Sequence, residues 1–133
     1  MALDIKQVST PALAYLGDSV WELLVRQRLV GVGISDSRRL NTEALGYVTA
    51  SAQAAAVKKI LDALTEEENA VYHRGRNIGH TNVPKHATVM EYRMATGLEA
   101  LFGYLHLTGR SARIEELFAM ALEGEENNEQ SKG

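Results

Sequence analysis

Two acids in this chain stand where acids are costly. Asp18 lies in the run Leu16-Gly17-Asp18-Ser19-Val20, and Glu99 in the run Leu98-Glu99-Ala100-Leu101-Phe102-Gly103. On a helix, Asp18 shares its face with Ala14, Tyr15, Trp21 and Glu22, the positions three and four away. Glu99 shares its face with Ala95, Thr96, Phe102 and Gly103. No Lys or Arg occupies those spacings, and an ionised carboxylate on such a face is unfavourable unless a cation reaches it. Taken singly, each acid reads as a rim residue whose head reaches water. Taken together, on two helices that pack, they read as ligands of a shared hard metal ion. The neighbouring glycines favour the second reading. Glycine inside a helix costs roughly 1 kcal/mol against alanine, and Gly17, Gly97 and Gly103 all incur it, so close packing or a site is expected there.

The donor types narrow the chemistry. The 133 residues include no cysteine, which excludes a disulfide framework, a zinc ribbon and a thiol nucleophile. There is no Gly-x-x-x-x-Gly-Lys phosphate loop, no His-Glu-x-x-His, no Glu-x-x-His and no His-Asp pair. Carboxylates without histidine ligands favour Mg²⁺ or Mn²⁺ over zinc. Magnesium held by few carboxylates keeps several waters and commonly takes a phosphate as its other ligand.

The charge distribution supplies that phosphate. The net charge of −3 argues at first against a nucleic acid. However, residues 123–133 carry Glu123, Glu125, Glu126 and Glu129 against Lys132 alone, which leaves the rest of the chain neutral. Residues 69–90 contain no acid but include Arg74, Arg76, Lys85, His73, His80 and His86. A carboxylate-held metal beside a basic, acid-free segment points to phosphodiester hydrolysis. The bland alternative for that segment is a mobile surface loop. The histidines read as neighbours of phosphate rather than catalysts, and Glu66-Glu67-Glu68 as favourable first-turn charge.

The elements that must position these residues are helices. Apolar residues recur at helical spacing almost throughout, nothing alternates with period two, and hydrophobic content is 45%. Thr10, with Pro11 next, caps a helix to about Val30, ended by Gly31 and Gly33. Ser35 or Asp36 opens a shorter helix through Leu40 and Leu45, and another starts near Ser51. Thr65 with Glu68 forms a capping box for a helix to about Arg76. Residues 77–87 form a loop containing Gly79 and Pro84. Thr88 caps a long helix to about Leu107, and Ser111 caps the last, to about Leu122. The expectation is one all-α domain over residues 1–122 and an acidic, disordered tail over 123–133. No stretch is long and apolar enough for a membrane span, and Met1-Ala2-Leu3-Asp4 opens no signal peptide, so a cytosolic location is expected.

The run Ala12-Leu13-Ala14-Tyr15-Leu16-Gly17-Asp18-Ser19-Val20-Trp21-Glu22 resembles the signature helix of ribonuclease III enzymes. Residues 98–103 resemble their second catalytic helix. The segments Arg74-Gly75-Arg76-Asn77, Pro84-Lys85 and Tyr92-Arg93 resemble the Mini-ribonuclease III branch, which consists of the catalytic domain alone. The resemblance covers residues 11–122. It implies the helical ribonuclease III endonuclease domain and a homodimer that cuts double-stranded RNA with Mg²⁺, Mn²⁺ being a possible substitute. It also implies maturation of 23S-type large-subunit ribosomal RNA precursors in a bacterial cytoplasm or a plastid, with a ribosomal protein as a possible helper. Asp18 and Glu99 match the catalytic, metal-holding carboxylates, and Arg74, Arg76, Asn77, Lys85 and Arg93 become the RNA-binding candidates. Ala14 and Thr96 stand where full-length ribonuclease III has further acids, a departure shared with the Mini branch, so water and RNA must complete the metal shell.

Some residues keep two readings. Tyr15, Val20, Trp21 and Leu24 fit either the core or a dimer seam. Arg93 fits a phosphate or a surface acid, and Glu22 fits the metal or a structural pair. Two other functions remain open: a non-catalytic RNA-binding scaffold on the same fold, against which both acids speak, and a helical protein-interaction domain, against which the basic segment speaks.

Overall fold

The computed structural model describes residues 3–78 and 85–123; Gly79, His80 and Pro84, and the tail beyond Glu123, lie outside them. Six α-helices follow in order: α1 Thr10–Gly31, α2 Ser37–Val48, α3 Ala50–Ile60, α4 Glu66–Arg76, α5 Val89–Leu107 and α6 Ser111–Ala121. Among the described residues there is no strand, and no helix is long and apolar enough to cross a membrane. The expected all-α fold is therefore observed.

Local chemistry explains the boundaries. Thr65 and Glu68 cap one another at the start of α4, as do Thr88 and Glu91 at the start of α5, so both capping boxes are formed. Two starts differ from expectation. Ser9, not Thr10, caps α1, its side chain accepting from the Ala12 N–H, which leaves Thr10 and Pro11 inside the first turn. Arg110 precedes α6 without a side-chain cap, and Ser111 is the first helical residue. Short 3-10 turns at Ile5–Gln7 and Leu61–Ala63 were not legible, because three residues carry no periodicity.

Helix α5 is the axis of the bundle, and α1, α3, α4 and α6 all pack on it. Leu98, Ala100, Leu101, Phe102 and Leu105 are fully buried there, as expected of a helix that is apolar all round. Trp21 of α1 meets Phe102 and Phe118 edge-on at 5.3 and 5.1 Å, and its indole N–H donates to the Tyr47 carbonyl at 2.9 Å. Trp21 is thus core, whereas Tyr15 is 84% exposed. Glu68 does more than complement the first turn of α4. It is buried, and Arg113 of α6 grips it through two N–H donors at 2.8 Å, a forked geometry that also holds its pKa below the usual carboxylate value.

The glycines set how closely the helices cross. A Cβ on Gly17 would lie 1.5 Å from the Glu99 carbonyl oxygen, and one on Gly103 would lie 2.1 Å from the Leu13 carbonyl oxygen. Only glycine lets α1 meet α5 backbone to backbone. A second crossing, α4 on α5, uses Gly75 against Gly97 and Ala100, with Gly97 under the Tyr72 ring.

Candidate active site

The α1–α5 crossing brings Asp18 and Glu99 together. Gly17 rests on the Glu99 backbone, and Asp18, the next residue of α1, lines the same cavity as Glu99. The two carboxyls are close enough for Asp18 to raise the pKa of Glu99. They line one open cavity of about 250 Å³ with Pro11, Ala14, Tyr15, Ile78, Tyr92 and Thr96. Asp18 is exposed and Glu99 half-buried. Among the described residues no Lys or Arg pairs with either acid. Burial, reinforced by the facing Asp18, pushes the Glu99 carboxyl up to about 8, and an amide hydrogen bond from Gln53 partly opposes this.

The donors fit a hard divalent cation. Two carboxyls forced together without a counter-charge lack what such an ion supplies. Among the described residues no cluster of three or more His, Cys, Asp or Glu could hold a metal, so the protein's share of a shell here is two carboxylate side chains. Ala14 and Thr96, the positions of the missing acids, line the same cavity, and their small side chains leave it open to water and phosphate. The Thr96 hydroxyl proton is committed to the Tyr92 carbonyl at 3.0 Å.

The other candidates are more scattered than a single loop would make them. Arg74 and Arg76 belong to the last turn of α4 and Asn77 is its C-cap, while Lys85 precedes α5 and is exposed. Arg74 lines a separate cavity with Ile5, Lys6, Val8, Thr10, Leu13 and Tyr104. Ile78, just past α4, reaches the carboxylate cavity. Arg93 is exposed on α5, and no acid among the described residues pairs with it. Glu22 is taken by Arg26 at 2.7 Å, which favours its structural reading. His73 lies within α4 against Tyr72, and His86 is exposed beside Lys85. Gln53 was missed. Only its place in the alanine-rich stretch Ala52-Gln53-Ala54-Ala55-Ala56 marks it, and a lone amide there predicts no partner.

Comparison with known proteins gives the family of the chain. Residues 11–110 match the Ribonuclease III domain family. The chain is 46% identical to Mini-ribonuclease 3 of Enterococcus faecalis, over 86% of this chain and 88% of that one. It is 38% identical to Mini-ribonuclease 3 of Streptococcus pneumoniae, over 91% and 96%. An X-ray structure of a Fusobacterium nucleatum protein superposes with a TM-score of 0.82 at 35% identity, covering 92% of this chain and 98% of that one. With the α1–α5 crossing and its two acids in place, the chain belongs to the Mini-ribonuclease 3 branch of the ribonuclease III family.

Proposed function

We propose that this endoribonuclease cleaves double-stranded RNA with Mg²⁺ or Mn²⁺ held by Asp18 and Glu99, and that its substrates are 23S-type ribosomal RNA precursors. One observation carries the catalytic part: two carboxyls face each other in an open cavity with no cationic side chain paired to them. The substrate assignment rests on the family resemblance, as do the bacterial cytoplasm or plastid setting and a helper ribosomal protein.

When bound, the divalent ion offsets charge on the scissile phosphate and lowers the pKa of a coordinated water. Asp18, exposed at the mouth, and Glu99, whose carboxyl burial favours in the protonated form and which would give up that proton, would hold the ion. The space at Ala14 and Thr96 admits the phosphate and its waters. Arg76, Asn77, Lys85 and Arg93 hold backbone phosphates on either side, with Arg74 extending the contact toward the N-terminal turn. Attack by water forms the new P–O bond, the bond to the 3′ oxygen breaks, that oxygen takes a proton, and a 5′ phosphate remains.

Duplex RNA has antiparallel strands related by local dyads, so a two-fold homodimer presents one such cavity to each strand. The outer face of α1, with Tyr15, Leu23 and Val30 exposed, supplies an apolar seam for it. Incubating the protein with duplex RNA, with and without Mg²⁺, tests the proposal. Mg²⁺-dependent cleavage is expected. Binding without cleavage would favour the non-catalytic scaffold, and no binding would favour a protein-interaction domain.

A further inference from the structure

A second cavity of about 250 Å³ lies at the N-terminal turn, and its charge is opposite to that of the carboxylate site. Lys6 and Arg74 line it together with Thr10 and Tyr104, and no acid does. Both cations are exposed, and among the described residues no carboxylate pairs with either. The acids nearby are engaged elsewhere. Asp4 accepts from the Lys6 backbone N–H at 3.0 Å, and Glu67, which accepts from the Tyr104 hydroxyl, is paired with Arg110 at 2.9 Å. Two cations brought to one cavity repel each other and favour an anion between them. Local structure holds Lys6 in place. Asp4 caps the 3-10 turn Ile5–Gln7, and Ser9 caps α1 directly after it. Ile5 and Val8 pack against Leu13, Ala14, Val71 and Ala100, which anchors the turn and leaves Lys6 at the surface. Arg74 arrives from the last turn of α4.

We propose that Lys6 and Arg74 form a second phosphate site, which takes a backbone phosphate of the same RNA duplex whose scissile bond lies at Asp18 and Glu99. This rests on the reading that the substrate is duplex RNA. The first turn of α1 separates the two cavities: Thr10 and Leu13 line the cationic one, Pro11 and Ala14 the carboxylate one. A helix with its side chains is roughly 10 Å across, so the two sites lie on the order of that distance apart. Duplex RNA is recognised by shape and by its phosphates and 2′-hydroxyls across a wide, shallow minor groove. Two anion-accepting points at a fixed separation suit such a rigid polyanion better than a free phosphate. Lys6 lies outside the basic segment of residues 69–90, and only the fold brings it to Arg74.

The test is single-turnover cleavage of duplex RNA in Mg²⁺ over a range of salt, comparing wild type with Lys6→Gln, Lys6→Arg and Lys58→Gln. Lys58 is an exposed lysine of α3 that lines neither cavity. Lys6→Gln is expected to raise the half-saturating RNA concentration several-fold for every duplex, and to flatten its dependence on log salt by about one. Lys6→Arg, which keeps the charge, should stay near wild type, and so should Lys58→Gln. Equal loss in Lys6→Gln and Lys58→Gln would show a general charge effect and overturn the site. An unchanged half-saturating concentration and salt slope in Lys6→Gln, with wild type cleaving the duplex, would overturn the site and leave the proposed function standing. Failure of wild type to cleave any duplex would overturn that function, and this inference with it. A titration with inorganic phosphate, following the Lys6 side-chain resonance, separates the sources of the anion. A shift at millimolar phosphate, while Lys6→Gln handles duplex RNA as wild type does, would mark a free-anion site and overturn the RNA assignment.

Discussion

Burial keeps the Glu99 carboxyl protonated at neutral pH until a cation arrives. Its pKa near 8, against an ordinary 4.5, means the folded chain holds a proton between those values that the unfolded chain has released. Metal-free stability should therefore fall as pH rises from 4.5 to 8, the window set by that shift. Glu99→Gln, which mimics the protonated form, should match wild type near the bottom of that window. Above it, the variant should melt several degrees higher, on the order of 1–2 kcal/mol. Thermal unfolding in chelator across the window checks this, and a variant no more stable than wild type at the alkaline end would contradict it. Asp18 and Glu99 were legible in the sequence because their oddity is local: acids on apolar faces with no basic residue three or four positions away. Gln53 and the Glu68–Arg113 pair were not, because each is explained only by a partner on another helix.

At the scale of elements, the site exists because α1 can touch α5. Gly17→Ala would place a methyl 1.5 Å from a backbone oxygen, which no rotamer change relieves. It should destabilise by about 3 kcal/mol or more and lower the melting temperature by roughly 10 °C or more, with loss of activity. Gly46, within α2, has nothing within 4 Å of the corresponding position, so Gly46→Ala should stabilise by up to about 1 kcal/mol through helix propensity alone. Equal melting temperatures for the two variants would argue against the backbone contact. The helix-interior glycines could be read from sequence as signs of close packing, but which helices they join could not. Capping boxes at Thr65 and Thr88 were readable because cap and partner are three residues apart. The starts of α1 and α6 slipped by one residue because Ser9 and Thr10, or Arg110 and Ser111, compete for the same place.

At the scale of the whole molecule, the proposed function calls for a dimer whose ribonuclease III domain itself holds RNA. Tyr15, Leu23 and Val30 leave an apolar stripe on α1 that a two-fold partner would cover, in an interface on the order of 2,000 Å². Leu23→Glu should shift the protein to monomer in light scattering at micromolar concentration; a wild-type protein that is monomeric there would contradict the dimer. Alanine at Arg74, Arg76 and Lys85 together should weaken binding to every duplex and flatten the slope of log affinity against log salt by about two to three. Arg74 lies at a cavity apart from the carboxylates, so its single variant tests how far the RNA extends along the protein. The charge segment was legible as a run of sequence, and the expected helix to about Arg76 and loop from residue 77 divided it correctly between α4, its cap and the approach to α5; that Arg74 sits at a separate cavity was not legible, since composition carries no direction. The most direct test of the central claim is single-turnover cleavage of duplex RNA in Mg²⁺ by wild type, Asp18→Ala and Glu99→Ala. The account predicts that each variant remains a folded dimer and loses at least about 3–4 kcal/mol of transition-state stabilisation, a few hundredfold or more in rate. Turnover near wild type by either variant would contradict it.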